Sequence, residues 1–114
     1  MYVLKLKHHF DAAHRLILDY DSPCQNDHGH RWEIEIEISA RELNTNGMIV
    51  DFKYLKEIVN ELDHKNLNEI LPFNPTAENI SHYLRTKIQK LNDKAGVVVT
   101  VWESPDASIT NLEY

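Results

Sequence analysis

The chain has 114 residues, with Lys+Arg 12 against Asp+Glu 18 and a formal net charge of −6. That length fits one compact domain over residues 1–114. The acidic balance lacks the basic footprint that nucleic acid or an anionic membrane requires, but it leaves room for a small anionic substrate held by a metal or a few local cations.

The opening, Met1-Tyr2-Val3-Leu4-Lys5-Leu6-Lys7, carries charge from the fifth residue and holds no run of signal or membrane-span length. Its single cysteine cannot form an internal disulfide, so a reducing, cytoplasmic setting is expected. Residues 2–14 alternate: Leu4, Leu6, Phe10 and Ala12 share one phase, and Lys5, Lys7 and His9 the other, which predicts a half-buried strand. A turn-rich segment follows, Asp19-Tyr20-Asp21-Ser22-Pro23 and then Gln25-Asn26-Asp27. Residues 30–39 alternate again, with Trp32, Ile34, Ile36 and Ile38 facing one way. A turn at Asn44-Thr45-Asn46-Gly47 favours an antiparallel arrangement of the first two strands and their continuation.

Asp51 is placed to cap a helix bearing Phe52, Leu55, Val59 and Leu62. The stretch from Asp63 to Pro75 reads as a loop, and Thr76 caps a second helix with Ile80, Leu84, Ile88 and Leu91 on one face. Gly96 precedes a β-branched strand over 97–102, Ser104-Pro105-Asp106 turns the chain, and a last strand runs from Ser108 to Tyr114. The predicted order is ββααββ, an α+β domain with one four-stranded antiparallel sheet and two helices on one face.

Seven histidines are the unusual part of the composition. In His28-Gly29-His30, residues i and i+2 of a strand point to one face, so both imidazoles reach one point. Gly29 leaves space on the opposite side and permits an unusual backbone. His14 shares the inward phase of Phe10 and Ala12, and pairing of the two strands brings a third imidazole to the same place. Three neutral nitrogens with an open fourth position are the pattern of catalytic zinc. An isolated H-x-H also occurs without metal. His8 and His9 compete for the third place on spacing alone, and His82 fits a solvated helix face.

Cys24, four residues before His28, suits either a fourth, thiolate ligand or a base beside the metal. Asp63-His64 suits an oriented acid–base pair, or a histidine at a helix C-terminus. Glu103 ends an apolar strand on the inward phase, where a carboxylate needs donors. The paired N–H groups of a 2-amino-4-oxo pterin ring would supply them, and so would an arginine.

Phe10-x-Ala12-Ala13-His14, Cys24-x-x-x-His28-Gly29-His30, Gly47-x-Ile49-Val50-Asp51-Phe52, Leu62-Asp63-His64-x-x-Leu67-Asn68, Asn74-Pro75-Thr76-Ala77-Glu78-Asn79 and Trp102-Glu103-Ser104 together resemble the 6-pyruvoyltetrahydropterin synthase family. The likeness is nearest to its 6-carboxytetrahydropterin synthase (QueD) branch, because three residues separate Cys24 from His28. It runs in order from about residue 8 to residue 105. Lys65 departs from the family, where a second histidine often follows the first.

The resemblance implies a tunnelling fold (T-fold) whose sheets close into an oligomeric barrel, commonly a homohexamer built as a dimer of trimers. It implies Zn2+ on His14, His28 and His30, Cys24 as catalytic base, Asp63 and His64 as the assisting pair, and Glu103 as the pterin anchor. Thr76 and Glu78 match substrate-binding positions near the pocket, reaching a neighbouring subunit. The implied reaction is a lyase step of queuosine/7-deazaguanine biosynthesis that turns 7,8-dihydroneopterin triphosphate into 6-carboxytetrahydropterin, acetaldehyde and triphosphate. Arg15, Lys53 or Lys65 would offset the substrate's charge. The alternatives are a 6-pyruvoyltetrahydropterin synthase and a non-catalytic zinc- or pterin-binding subunit.

Overall fold

The computed structural model describes residues 1–112. The elements run β1 Tyr2–His14, a single 3-10 turn Pro23–Gln25, β2 His28–Ala40, α1 Phe52–Asn60, β3 Lys65–Asn66, α2 Leu67–Ile70, α3 Ala77–Gln89, β4 Gly96–Ser104 and β5 Ala107–Asn111. They form one sheet in the order β3-β1-β2-β4-β5. The β1–β2, β2–β4 and β4–β5 pairs are antiparallel, and β1–β3 is parallel.

The alternation read from the sequence is the alternation of the sheet. Phe10 and Ala12 of β1, Trp32, Ile34, Ile36 and Ile38 of β2, and Val97, Val99 and Val101 of β4 are all buried on one face. Leu55 and Val59 of α1 and Ile80, Leu84 and Ile88 of α3 close over them. Each large apolar side chain buried in this layer contributes roughly 1.5–3 kcal/mol. The outer face pairs opposite charges across β1 and β2: Lys5 faces Glu37, Lys7 faces Glu35, and Asp11 faces Arg31. Such exposed pairs are worth about 1 kcal/mol at most, so the apolar face sets the register and the charges reinforce it.

Both predicted helix starts form as read. The Asp51 carboxylate accepts from the Lys53 N–H at 2.9 Å, and the Thr76 hydroxyl accepts from the Asn79 N–H at 3.1 Å. Gly47, at φ 80, closes the turn after β2 in the left-handed region that favours glycine. That turn leads through Ile49–Val50 into α1 and not into a further strand.

Other expectations are corrected. Residues 63–75 are not a plain loop, since they hold β3 and α2. The Asn66 side chain caps α2 by accepting from the Asn68 N–H, and Leu67 and Leu71 are buried; these elements are too short to show a period. The sheet therefore has five strands and the helical layer three helices, one of them a single turn. Phe52 and Leu91 are exposed because α1 begins at the first and α3 ends before the second. Gly29 is not at positive φ, and a Cβ there would meet nothing within 4 Å. The predicted last strand ends at Asn111, and Glu113 and Tyr114 lie outside the described residues. No helix among the described residues is long and apolar enough to cross a membrane.

Ile36→Ala should lower unfolding free energy by roughly 2–5 kcal/mol, because the surrounding layer cannot close on the cavity. Asp51→Ala should cost only about 1 kcal/mol. Urea unfolding of both variants checks the ranking.

Candidate metal centre

The β1–β2 register places His14 directly opposite His28, and His30 opposite Ala12. All three rings therefore meet at one end of the apolar face. Ring centroids are 4.6 Å (His14–His28), 5.2 Å (His14–His30) and 4.7 Å (His28–His30) apart, with the planes steeply tilted. Trp32, fully buried, forms the floor, edge-on to His14 at 4.8 Å and to His30 at 5.4 Å. Glu103 from β4 completes the group: one ligand atom from each of His14, His28, His30 and Glu103 lies within 4.8 Å of the others.

Backbone carbonyls decide which nitrogen His14 and His28 offer. His14 Nδ1 donates to the Pro75 carbonyl at 2.8 Å, and His28 Nδ1 donates to the Asn26 carbonyl at 2.6 Å. A proton on Nδ1 leaves Nε2 as a lone pair, the tautomer suited to holding a metal. The Nε2 atoms of His14 and His30 are buried with no hydrogen-bond partner among the described residues. Burial holds both imidazoles below the ordinary 6.5, with the Pro75 bond and the Glu103 carboxylate opposing it at His14 and Glu103 opposing it at His30. Both rings are therefore neutral near pH 7. Their contacts with Glu103 Oε1, 3.2 Å from His14 Nε2 and 3.4 Å from His30 Nε2, are not ion pairs in that state. Three converging imidazoles, two of them with buried Nε2 atoms that have no hydrogen-bond partner among the described residues, fit a zinc ion.

Glu103 has no arginine partner among the described residues, which removes the salt-bridge alternative. Its carboxylate and His30 also line a cavity of about 540 Å³ on the outer side of the sheet, with Lys7, Arg31, Trp102 and Ser104. That volume is in the range of small-molecule sites. Cys24 sits half-buried in the Pro23–Gln25 turn and is not in the converging group. Glu103 stands where a thiolate ligand was one option. The Cys24 turn is held by its carbonyl accepting from the Leu16 N–H at 2.7 Å and by Ser22 Oγ accepting from the Cys24 N–H at 3.2 Å.

Asp63 and His64 form the oriented pair that the sequence allowed, but beside Asp11 and apart from the converging group. Asp63 Oδ2 lies 2.9 Å from His64 Nδ1, and Asp63 Oδ1 accepts from the Asp11 N–H at 2.9 Å. These bonds, Asp11's first, hold the Asp63 carboxyl below its ordinary value. His64 sits at φ 58, an uncommon left-handed conformation for a non-glycine residue, and its N–H donates to the Asp11 carbonyl at 2.7 Å. Its imidazole is 80% exposed. Thr76 is engaged as the cap of α3, and Glu78 is exposed in that helix's first turn. His8 points inward, but its Nε2 meets Asn60 Oδ1 at 2.7 Å; His9 and His82 are exposed. Arg15, Lys53 and Lys65 are exposed as well.

Sequence reasoning missed the residues that aim the site. Pro75 carries no signal for orienting His14, because the contact spans 61 positions. Two asparagines extend β1 past its end. Asn68 bonds both the N–H and the carbonyl of Arg15, at 2.8 and 2.9 Å, and Asn74 does the same for Ile17, at 2.9 and 3.0 Å. Between them Leu16 holds Cys24. Each amide imitates a neighbouring strand, which fixes the chain between His14 and the cysteine turn.

Comparisons with known proteins give the family and the fold. The family model described as 6-pyruvoyl tetrahydropterin synthase matches residues 3–113. The 6-carboxy-5,6,7,8-tetrahydropterin synthase of Rickettsia bellii is 33% identical over 128 residues, covering 88% of this chain and 92% of that protein. The dihydroneopterin monophosphate aldolase of Pyrococcus furiosus is 38% identical over 85 residues, covering 71% of this chain and 69% of that protein. A Pyrococcus horikoshii relative reaches 48% identity over 68 residues, yet the match spans only 43% of that relative's length and 56% of this chain. Among solved structures, the Caenorhabditis elegans 6-pyruvoyl tetrahydropterin synthase superposes with a TM-score of 0.79 at 24% identity, over 99% of this chain and 96% of that one. At that identity the likeness is one of fold.

In the metal-free protein, the depressed imidazoles of His14 and His30 make the unfolded chain the better proton acceptor below the ordinary 6.5. Stability should therefore be flat above that value and fall as pH drops through it. Thermal unfolding from about pH 7.5 to 5 measures this, and a flat curve would contradict neutral rings. Zinc at about 100 times its dissociation constant should add about 2.7 kcal/mol. A His28→Ala/His30→Ala double variant should lose that gain.

Proposed function

The chain belongs to the 6-pyruvoyl tetrahydropterin synthase family, and from that membership we propose that it is a zinc-dependent 6-carboxy-5,6,7,8-tetrahydropterin synthase. In this reading residues 1–114 form one catalytic domain, a lyase of queuosine/7-deazaguanine biosynthesis acting in the cytoplasm. It converts 7,8-dihydroneopterin triphosphate and water to 6-carboxytetrahydropterin, acetaldehyde and triphosphate. The observation that carries it is the convergence of His14, His28 and His30, with the Nε2 atoms of His14 and His30 buried and unpartnered among the described residues, beside a small-molecule cavity.

His14, His28 and His30 would hold a zinc ion, which would supply Lewis acidity for the hydroxyls of the substrate side chain. Glu103 anchors the pterin ring through its paired N–H groups, so that the side chain falls toward the histidines; this is catalysis by orientation. Cys24 acts as the base. His64, oriented by Asp63, passes protons, with its Nε2 free because Nδ1 faces the carboxylate. Asp63 and His64 stand apart from the histidine group of their own chain, which fits a site completed by a neighbouring subunit. Thr76 and Glu78, at the start of α3, are assigned to substrate binding across the same boundary.

A homohexamer, a dimer of trimers, is supported by the sheet edges. β3 covers β1 only at Ala12 and Ala13, and β5 ends the sheet on the other side. Exposed strand edges invite pairing, and Tyr2 and Val3 on the open stretch of β1 are each 51% exposed.

Zinc-loaded protein given dihydroneopterin triphosphate should release acetaldehyde and a product with the mass of 6-carboxytetrahydropterin. Cys24→Ala should cut turnover by about 100-fold or more while retaining zinc; full activity would remove the assigned base. The likeness to an archaeal pterin aldolase favours a second reading, side-chain cleavage of a pterin at another bond. Product mass separates that outcome, and a 6-pyruvoyl product, from the first.

A further inference from the structure

A role as ring anchor alone does not explain why the Glu103 carboxylate lies inside the histidine group. We propose that Glu103 is the fourth metal ligand of the substrate-free protein and leaves the metal when a pterin ring is seated, so that ring binding opens the fourth coordination position. The ligand half rests on this structure's geometry alone; the exchange half rests on the pterin reading above.

Two donor atoms, each about 2.0–2.1 Å from a tetrahedral zinc, are about 3.3–3.4 Å from one another. Glu103 Oε1 lies 3.2 Å from His14 Nε2 and 3.4 Å from His30 Nε2, the spacing of two edges of such a tetrahedron. At His14 a neutral ring offers Glu103 no hydrogen bond. Because His14 Nδ1 donates to Pro75, its Nε2 is an acceptor, as is an ionised carboxylate. Two acceptors repel at this distance unless a cation lies between them. The buried Nε2 atoms of His14 and His30 have no hydrogen-bond partner among the described residues.

The same carboxylate is placed to leave. Its side chain is 33% exposed and lines the outer cavity. It also sits at a register irregularity of β4, between Trp102 and Ser104, and a bulge of that kind re-aims a side chain. A carboxylate that accepts from two ring N–H groups uses both oxygens toward the ring and withdraws from the metal. The closed set of three histidines and one glutamate would then become an open set of three histidines only with a ring in place. That keeps water and stray anions off the metal between turnovers. The difference between a closed shell and an open position is the difference between structural and catalytic zinc.

Cobalt(II) in place of zinc gives the readout, because its visible absorption follows the donor set without turnover. The probe is pterin itself, 2-amino-4-oxopteridine, which presents the ring N–H pair without the side-chain hydroxyls. In the 114-residue chain, Glu103→Gln should lower cobalt and zinc affinity by about 10-fold or more and alter the cobalt spectrum without ligand. Saturating pterin should shift the wild-type spectrum toward that of the ligand-free Gln variant. Glu103→Asp, which keeps the charge on a shorter arm, should fall between the two in affinity, with circular dichroism checking that each variant folds. Equal affinities and identical ligand-free spectra for wild type and Glu103→Gln would overturn the ligand assignment. An unchanged wild-type spectrum at saturating pterin, with binding followed by pterin fluorescence, would overturn the exchange. Failure of pterin to bind at all would overturn the ring-anchor reading and the exchange with it, while the affinity comparison still decides the ligand.

Discussion

The antiparallel register of β1 on β2 is the constraint from which the site follows. It sets His14 across from His28 and His30 across from Ala12, and it aligns Phe10 with Trp32 beneath them. The side-chain period along a strand is two, so a slip of one residue would turn the imidazoles to the opposite face and send the isoleucines of β2 into water. Buried apolar area therefore fixes the histidines more firmly than any bond they make themselves. The complementary charges on the outer face agree with the same register, so both faces specify one pairing.

A second layer of control acts through backbone carbonyls and asparagine amides. The carbonyls of Pro75 and Asn26 choose the tautomers of His14 and His28. Asn68 and Asn74 hold the chain that leaves His14, and through Leu16 that chain holds the Cys24 turn. The three segments that follow α1, namely β3, α2 and the turn before α3, serve the site more than the core. Only Leu67, Leu71, Pro75 and Ala77 of the stretch from 63 to 77 are buried, while its polar side chains carry most of the orienting bonds. Hydrogen-bond partners standing behind a metal ligand fix its orientation and raise its basicity.

Legibility follows the period of each element. β1, β2, α1, α3 and β4 are long enough to repeat their pattern several times, and their core residues are visible in the sequence. β3 and α2, with 2 and 4 residues, are shorter than any period and look like loop in the sequence. Of the site, the two histidines of His28-Gly29-His30 follow from phase, and the third at His14 from phase and its place at the strand end, which His8 on the same phase lacks. Glu103 is visible as an inward carboxylate at a strand end, but its neighbours are not, because they come from β1 and β2 at separations of 89 and 73 positions (103 − 14 and 103 − 30).

Local sequence determined what repeats or caps: the two faces of the sheet, the helix starts at Asp51 and Thr76, and the side of a strand on which each histidine stands. Those features depend on neighbours a few residues away, so the chain states them directly. Tertiary structure decided which nitrogen His14 presents, that the carboxylate of Glu103 meets Nε2 of His14 and of His30, and that Asp63 and His64 gather around Asp11 and not around the histidines. Each of those outcomes is a contact between segments far apart in the chain. Its distance is set by how the sheet and the helices pack, which no local pattern encodes.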